Sequence, residues 1–288
     1  MAFSKVLSSD PDYYVKAFEE RTKRQQRKNV LVDWTNQLVK NQLIGSVTIG
    51  KRPLKVLGVG SGSGEVELGN ISKLLEVFSS IEVTVLEPSK KYIDIYKESL
   101  EKSKLKGLTY QWRQQTLDEY RADVGASIKY DIIFSVNSLY YVDDLKDSLK
   151  YLYEILEHGG KYCVILVTET TGCYRLWKNF SSLYQSVASF NQISSREVID
   201  GLKALNIGYE LERTRNDIDV TECFNQGSIE GKYMIDFLSQ VVNLRESVSE
   251  STYWEFVDFL KNISALQEGY GSKLWLESGW EATFVKKQ

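Results

Sequence analysis

The stretch from Leu54 to Leu68 reads LKVLGVGSGSGEVEL and decides the fold of the chain. It contains a short apolar run, then four glycines at alternate positions, then a run with the spacing of an amphipathic helix. The pattern predicts a strand, a tight loop and a helix. Glycine is favoured where φ is positive or where a ligand approaches the backbone closely. These glycines therefore indicate a pocket of backbone N–H groups beneath a polar ligand.

A second stretch, from Ile81 to Pro88, reads IEVTVLEP and predicts another strand that ends in the carboxylate of Glu87. In doubly wound sheets, an acidic residue at the end of the second strand binds the hydroxyls of a ribose. Together, the two stretches predict a nucleoside-binding half-domain. The alternative is a glycine-rich turn in an α/β protein of another kind.

The glycine register distinguishes between nucleoside ligands. The dinucleotide pattern G-x-G-x-x-G is absent, because it would require glycine at Ser63 or Glu65. The residues from Gly60 to Gly64 instead form G-x-G-x-G. This pattern resembles the first motif of class I methyltransferases, which bind S-adenosylmethionine, and Glu87 with Pro88 resembles their second motif. Gly58 replaces the acidic residue that usually precedes the first glycine and often supplies a hydrogen bond around the loop.

Composition narrows the class of protein. The chain has 288 residues, of which 42% are hydrophobic and 26% charged, as expected for a soluble globular protein of one large or two small domains. Its 36 basic and 39 acidic residues include no basic block typical of a nucleic-acid partner. No apolar run approaches the roughly 18 residues of a membrane span. The three cysteines, Cys163, Cys173 and Cys223, lack metal-ligand spacing, so we expect no metal and a reducing, cytoplasmic location.

Strand and helix patterns alternate along most of the chain. Apolar runs predict seven strands, starting at Leu54 and Ile81 and then covering 108–112, 130–137, 161–168, 208–213 and 280–286. The order predicts an α/β fold, with a doubly wound, mostly parallel seven-stranded sheet and a small helical substrate-binding layer. Two helices are expected within residues 10–46, and two more at 231–242 and 252–266.

This order suggests three domains or layers. Residues 1–50 would form a helical cap, 51–215 a methyltransferase core with an aromatic insert at about 169–192, and 216–288 extra helices with the last strand. His158 is the only histidine, and Gly159 and Gly160 after it are typical of a helix C-terminus. This placement argues against a hydrolase with a Ser-His or Cys-His pair.

From about residue 10 to the C-terminus, the chain is similar to the histamine N-methyltransferase family. The similar segments are 14–18, 54–68, 87–89, Trp112, 131–142 with its Leu-Tyr-Tyr-Val core, 172–178, 219–224 and 236–238. The resemblance implies a monomeric enzyme that binds S-adenosylmethionine and releases S-adenosylhomocysteine. The cofactor contacts that it implies are Gly60, Ser61, Gly62, Gly64, Glu87, Pro88, Tyr92, Thr116, Leu117 and Val136.

The resemblance also implies an aromatic cage for the methyl acceptor. Its members would be Tyr14, Phe18, Tyr140, Tyr141, Trp177, Tyr184 and Phe237, with Cys173 in place of one tryptophan. The family's polar anchors, a glutamate, a glutamine and an asparagine, correspond here to Arg27, Asn137 and either Gly279 or Trp280.

Arg27 is the largest departure from the family. An arginine in place of a carboxylate reverses the charge of the site and suits a carboxylate on the acceptor. If the alignment shifts, Glu19 or Glu20 would take the family's position. The alternative is a solvated arginine in the basic run 23–28.

The expected reaction is transfer of a methyl group to a nitrogen of a small aromatic or imidazole amine by in-line displacement. Asn137, Tyr140 and Tyr141 are the candidate catalytic residues, because they could accept a hydrogen bond from the acceptor nitrogen without a strong base. Two alternatives remain: an acceptor that is a carboxylate-bearing amine, an amino acid or an oxygen, and a non-catalytic ligand-binding relative.

Overall fold

The chain forms two compact units, each assembled from three separate segments. The computed structural model describes residues 6–45, 47, 52–183 and 190–288. The first unit contains Met1–Lys28, Val167–Ser194 and Thr214–Trp280. The second unit, here the sheet unit, contains Asn29–Leu166, Ser195–Arg213 and Glu281–Gln288.

The strands of the described residues form two sheets. In chain order they are β1 (Leu54–Val59), β2 (Ile81–Leu86), β3 (Leu108–Arg113), β4 (Tyr130–Val136), β5 (Leu156–Leu166), β6 (Tyr209–Arg215), β7 (Ile218–Asp219), β8 (Ser264–Leu266), β9 (Leu274–Leu276) and β10 (Gly279–Lys286). The larger sheet has the order β3-β2-β1-β4-β5-β10-β6, and the smaller one has the order β7-β9-β8.

The larger sheet confirms the predicted doubly wound, mostly parallel architecture with seven strands in the described residues. Strands β1 to β5 pair in parallel, while β10 is antiparallel to β5. Strands β1, β2 and β4 are buried along almost their whole length, as expected for parallel strands covered on both faces. The sheet places the ends of β2, β1 and β4 side by side, and the loops after them carry most of the predicted cofactor residues.

The α-helices of the described residues follow the predicted alternation. They are α1 (Pro11–Lys23), α2 (Val30–Leu38), α3 (Glu65–Leu74), α4 (Lys90–Ser103), α5 (Leu117–Val124), α6 (Leu145–Glu154), α7 (Gly172–Asn179), α8 (Ser195–Ala204), α9 (Ile229–Ser239), α10 (Leu244–Ser247) and α11 (Glu250–Asn262). Local capping begins several of them. The side chain of Ser89 accepts from the backbone N–H of Tyr92 at the start of α4, and Thr116 forms a capping box with Glu119 at the start of α5. None of the helices in the described residues is long and apolar enough to cross a membrane.

The prediction for His158 was wrong. Helix α6 ends at Glu154, and His158 lies exposed within β5, which begins at Leu156. The two glycines do not stop a helix here. An added Cβ at Gly160 would lie 2.9 to 3.1 Å from three backbone oxygens, including that of Asp131, near an irregularity in the pairing of β4 with β5. Glycine at this position permits a close approach between strands.

The first unit also differs in detail from the prediction. Helix α11 ends at Asn262, and residues predicted to be its last turn form β8 of the small antiparallel sheet. Another feature of this unit is the packing of α1 against α9. Leu7, Ala17 and Val242 form a buried apolar cluster, against which the partly buried side chains of Tyr13, Tyr14, Tyr233 and Phe237 pack.

Candidate active site

The glycine loop after β1 folds back over the end of β2. The backbone N–H groups of Gly60 and Ser61 both donate to the Leu86 carbonyl oxygen, at 2.8 and 3.2 Å. Gly60 has φ of +63°, and an added Cβ would lie 2.5 Å from the Cβ of Ser138. Position 60 therefore requires glycine both for its backbone conformation and for the close approach of the loop after β4.

Glu87 is joined to this loop by its carboxylate. The N–H of Gly62 donates to Oε2 and the N–H of Ser89 donates to Oε1, both at 2.9 Å. Burial raises the pKa of Glu87, and the two backbone donors oppose that shift. Each carboxylate oxygen can accept more than one hydrogen bond, so both retain capacity for ligand hydroxyls. Gly62 has φ of +55° and no atom within 4 Å of where a Cβ would be, so open space remains at this point of the loop.

Glu67 on α3 occupies the space left by Gly58. A Cβ at Gly58 would lie 1.9 Å from Oε2 of Glu67, so the carboxylate fits there only because position 58 has no side chain. That carboxylate accepts from Ser61 Oγ at 2.8 Å and from the Tyr96 hydroxyl at 3.0 Å. Burial raises the pKa of Glu67 to about 7, although both hydrogen bonds lower it. Glu67, nine positions after Gly58, thus anchors the glycine loop through its hydrogen bond with Ser61.

The other predicted cofactor residues lie where strands β1 to β4 end. Gly64 precedes α3, and an added Cβ would lie 2.3 Å from the Tyr96 ring. Val136 is the last residue of β4, and Leu117 is a buried residue that begins α5. Pro88 is exposed, and Thr116 and Tyr92 are half-buried, at the start of α5 and in the first turn of α4.

The loop after β4 carries the predicted catalytic residues. Asn137 has φ of +51°, a left-handed conformation that asparagine tolerates better than most residues, and its N–H donates to the Ile165 carbonyl at 2.8 Å. The Tyr140 hydroxyl donates to Asn137 Oδ1 at 3.4 Å, a long contact. Tyr140 is buried and Tyr141 is exposed, and their rings are nearly perpendicular with centroids 6.2 Å apart.

In the first unit, Tyr14 and Phe18 of α1 and Phe237 of α9 form an aromatic cluster. The rings of Tyr14 and Phe18 are stacked with centroids 5.9 Å apart, and Phe237 is tilted against both at 6.3 and 6.1 Å. The predicted cage residues on these two helices are therefore brought together.

Two further predicted cage residues lie on α7. Trp177 is buried, donates from Nε1 to the Leu238 carbonyl oxygen at 3.0 Å and packs edge-on against Phe190. Cys173 is a buried free thiol, and burial raises its pKa to about 11 although the Arg21 charge lowers it. Tyr184 lies outside the described residues.

The comparisons with known proteins agree with this geometry. Residues 57–162 match a family described as a methyltransferase domain. The chain is 30% identical over 244 residues to carnosine N-methyltransferase 2 of Gallus gallus, covering 83% of this chain and 76% of the relative. It is 31% identical over 207 residues to histamine N-methyltransferase of Cavia porcellus, covering 70% and 71%. The chain belongs to the histamine N-methyltransferase family.

Membership of the histamine N-methyltransferase family confirms the predicted class of enzyme and its cofactor, since class I methyltransferases take their methyl group from S-adenosylmethionine. A solved structure with a similar fold is the plantazolicin methyltransferase BpumL in complex with a pentazolic desmethylPZN analog and S-adenosylhomocysteine. Its TM-score is 0.51 at 15% identity, covering 98% of this chain and 93% of BpumL.

Arg27 was predicted to take the place of one of the family's polar anchors. Arg27 is exposed, and its Nη2 donates to the Arg215 carbonyl oxygen at 2.7 Å while its N–H donates to Asn216 Oδ1 at 2.9 Å. Glu20, one of the alternatives, pairs with Lys23 at 2.7 Å.

Sequence reasoning missed Arg21, whose guanidinium lies over the rings of Phe237 and Trp280, at 6.0 and 5.2 Å. Its spacing was the available signal, because it follows Phe18 by three residues and Tyr14 by seven, which places all three on one face of α1.

Proposed function

We propose that this enzyme methylates a nitrogen of a small amine that carries an imidazole or aryl ring. The observation that carries the proposal is the aromatic cluster of Tyr14, Phe18 and Phe237. Two relatives are named for histamine and carnosine, and both compounds contain an imidazole ring. Ring faces shed water and tolerate cationic groups, as an amine acceptor and its product require.

For the cofactor, we propose that Glu87 accepts hydrogen bonds from the ribose hydroxyls and that the Gly60–Gly64 backbone supports the rest of the ligand. The S-adenosylmethionine cofactor supplies the methyl group as an electrophile on its sulfonium sulfur. The two backbone donors of Glu87 fix its carboxylate before a ligand arrives, which reduces the ordering cost of binding. Tyr92, Thr116, Leu117 and Val136 are proposed as the remaining contacts.

Asn137 is proposed to orient the acceptor nitrogen. Its left-handed backbone is held by the Ile165 carbonyl, and Tyr140 approaches its side-chain oxygen. That oxygen can accept a hydrogen bond from an N–H of the acceptor and so direct the lone pair of the nitrogen. A departing thioether needs no proton, so alignment and exclusion of water are the main contributions of the protein.

A second acceptor class has a specific observation in its favour. Carnosine contains a carboxylate in addition to its imidazole ring, and the buried Arg21 lies against the aromatic cluster. The second candidate class is therefore a ring-bearing amine that carries a carboxylate.

Labelled S-adenosylmethionine and a panel of acceptors test the proposal. The panel contains histamine, an aryl amine, histidine, carnosine and an aliphatic amine without a ring, and mass spectrometry locates the added methyl group. We expect transfer to a nitrogen of a ring-bearing acceptor. Transfer only to oxygen or to the ringless amine, or no transfer by protein that binds S-adenosylhomocysteine in calorimetry, would contradict it.

Two variants test the assigned residues in the same assay. Glu87→Ala should lower affinity for S-adenosylhomocysteine by about 10- to 100-fold, because hydrogen bonds to a charged group are lost. Asn137→Gly keeps the positive φ, so it should lower turnover more than cofactor affinity. Unchanged affinity in the first variant, or equal losses in the second, would remove that residue from its role.

A further inference from the structure

Ser61 links the two ends of the glycine loop through three of its polar groups. Its N–H donates to the Leu86 carbonyl oxygen at 3.2 Å, and its own carbonyl oxygen accepts from the N–H of Gly64 at 3.0 Å. Its hydroxyl donates to Glu67 Oε2 at 2.8 Å. The next residue, Gly62, donates its N–H to the carboxylate that is proposed to bind the ribose. A shift of Ser61 would therefore move the backbone groups that are proposed to support the cofactor.

The buried Glu67 carboxylate is fixed by two other elements of the fold. Oε2 lies against Gly58 of β1, where an added Cβ would be only 1.9 Å away. The Tyr96 hydroxyl of α4 donates to Oε1 at 3.0 Å. The ring of Tyr96 lies against the loop itself, 2.3 Å from where a Cβ of Gly64 would be. Strand β1 and helix α4 thus set the place from which the carboxylate accepts the hydrogen bond of Ser61.

The fold gains little from an ionised Glu67. Burial raises the pKa of Glu67 to about 7 although two hydrogen bonds oppose the shift, and no cation of the described residues contributes to it. No opposite charge therefore offsets the cost of removing this carboxylate from water. Functional sites often keep residues that reduce stability, because the geometry of the site requires them. The cost of Glu67 thus indicates a role in the geometry of the loop.

We propose that Glu67 is a positioning residue for the cofactor. Its carboxylate holds Ser61, and through Ser61 it holds the Gly60–Gly64 backbone in the conformation that receives S-adenosylmethionine. Gly58 belongs to the same arrangement, because a side chain at position 58 would displace the carboxylate. The inference rests on the proposed binding of the cofactor at this loop and adds a buried side chain that sets the affinity.

Binding of S-adenosylhomocysteine to Glu67→Gln, measured by calorimetry at about pH 8, tests the inference. Most of the wild-type carboxyl group is ionised at this pH, because its pKa is about 7. The amide has a similar size but only one oxygen, so it cannot accept at both positions. We expect affinity to fall about 3- to 10-fold, as for one lost hydrogen bond. The KM for S-adenosylmethionine should rise by the same factor, while kcat at saturating cofactor stays unchanged.

Stability separates this effect from damage to the fold. Glu67→Gln removes a buried charge, so at about pH 8 it should resist urea better than wild type and yet bind the cofactor less well. A purely structural role would change stability and leave affinity as it is. Glu98→Gln is the matched control, since it removes an exposed carboxylate two residues after Tyr96 on α4 and should leave affinity unchanged.

Gly58→Ala breaks the same contact without changing Glu67. The added Cβ would lie 1.9 Å from Glu67 Oε2 and 2.4 Å from Ser61 Oγ, so the two groups cannot keep their present positions. We expect a loss of affinity at least as large as in Glu67→Gln. In a Glu67→Ala background, Gly58→Ala should cause little further loss, because both changes remove one contact and such effects are not additive.

Two results would overturn the inference: unchanged affinity in Glu67→Gln, or losses from Gly58→Ala and Glu67→Ala that add fully. Glu87→Ala distinguishes these failures from failure of the proposed cofactor site. If Glu87→Ala weakens binding and Glu67→Gln does not, the cofactor binds at the loop and only the positioning role is wrong. If neither variant weakens binding, the cofactor does not bind at this loop, and both proposals fail.

Discussion

The glycine loop and the aromatic cluster are built in opposite ways. The loop is one contiguous segment whose contacts are mainly backbone N–H groups, the carboxylates of Glu87 and Glu67 and the carbonyl of Leu86. The cluster joins side chains of α1 and α9, which are more than two hundred residues apart in the chain and meet through ring contacts. In a site made of backbone groups, the ligand contacts depend little on which side chains are present. The residues that set the backbone conformation, here glycines, nevertheless tolerate few substitutions. A site made of side chains can change its ligand when one residue is substituted.

The largest expected effect comes from breaking the backbone site at Gly60. Gly60→Ala places a Cβ 2.5 Å from that of Ser138 at a positive φ, whereas Gly62→Ala imposes a similar φ with no atom within 4 Å. We expect Gly60→Ala to lower the free energy of unfolding by about 2 to 5 kcal/mol through strain and overpacking, and Gly62→Ala by about 1 to 2 kcal/mol. Urea denaturation without ligand measures both.

The same pair tests the space beside Gly62. Because that space is proposed to receive the cofactor, Gly62→Ala should weaken binding of S-adenosylhomocysteine more than its modest stability loss explains. Equal stability losses in the two variants would show that the contact with Ser138 is not a constraint, and the contrast between the two regions would weaken.

The sequence was sufficient to predict the glycine loop because the residues that form it are close together in the chain. Alternating glycines followed by a strand ending in Glu87 predicted both the doubly wound sheet and the residues that the structure joins by hydrogen bonds. Glu67 was missed because its position depends on a side chain absent at Gly58, which is a packing relation between a strand and a helix. The glycines after His158 were misread because helix ends and strand bulges both use glycine.

The cluster was predictable only in part. Tyr14 and Phe18 have helical spacing, but nothing local in the sequence indicates that Phe237 packs against them or that Trp280 lies beneath Arg21. Arg27 was predicted to contact the acceptor because its position corresponds to a family anchor. Burial, which only the fold determines, distinguishes the buried Arg21 from the exposed Arg27.

A smaller effect on the free energy of unfolding is expected from Glu67→Gln. This variant tests whether the buried carboxyl group that contacts the glycine loop changes stability. The folded-state pKa of Glu67 is raised from its ordinary 4.5 to about 7 by burial. Its contribution to stability is therefore fully present below about pH 4.5 and is lost as pH rises through about 7. The substituted amide does not titrate, so the variant should gain about 3 kcal/mol relative to wild type across this window.

Denaturant unfolding from about pH 4 to about pH 8 measures this difference. Burial also raises the pKa of Asp236 to about 6. Asp236 adds the same pH dependence to the stability of both proteins, so its contribution cancels in the difference. Glu65→Gln removes an exposed carboxylate from the same helix, so its curve should follow that of wild type. If the wild-type and Glu67→Gln curves remain parallel, the buried carboxyl group does not act as described.

The smallest effect on stability is expected at the cluster, from Phe18→Ala. Phe18 is 38% exposed and contributes mainly through its stacked contact with Tyr14, so the free energy of unfolding should fall by about 1 kcal/mol. The KM of a ring-bearing acceptor should rise several-fold, while affinity for S-adenosylhomocysteine stays unchanged, because the loop and Glu87 are untouched. Ile229→Ala is the control, since it removes an apolar side chain that is 68% exposed on α9 and should leave KM unaltered. A Phe18→Ala enzyme with weaker cofactor binding but normal acceptor KM would reverse the assignment of the two regions, because ring contacts would then serve the cofactor.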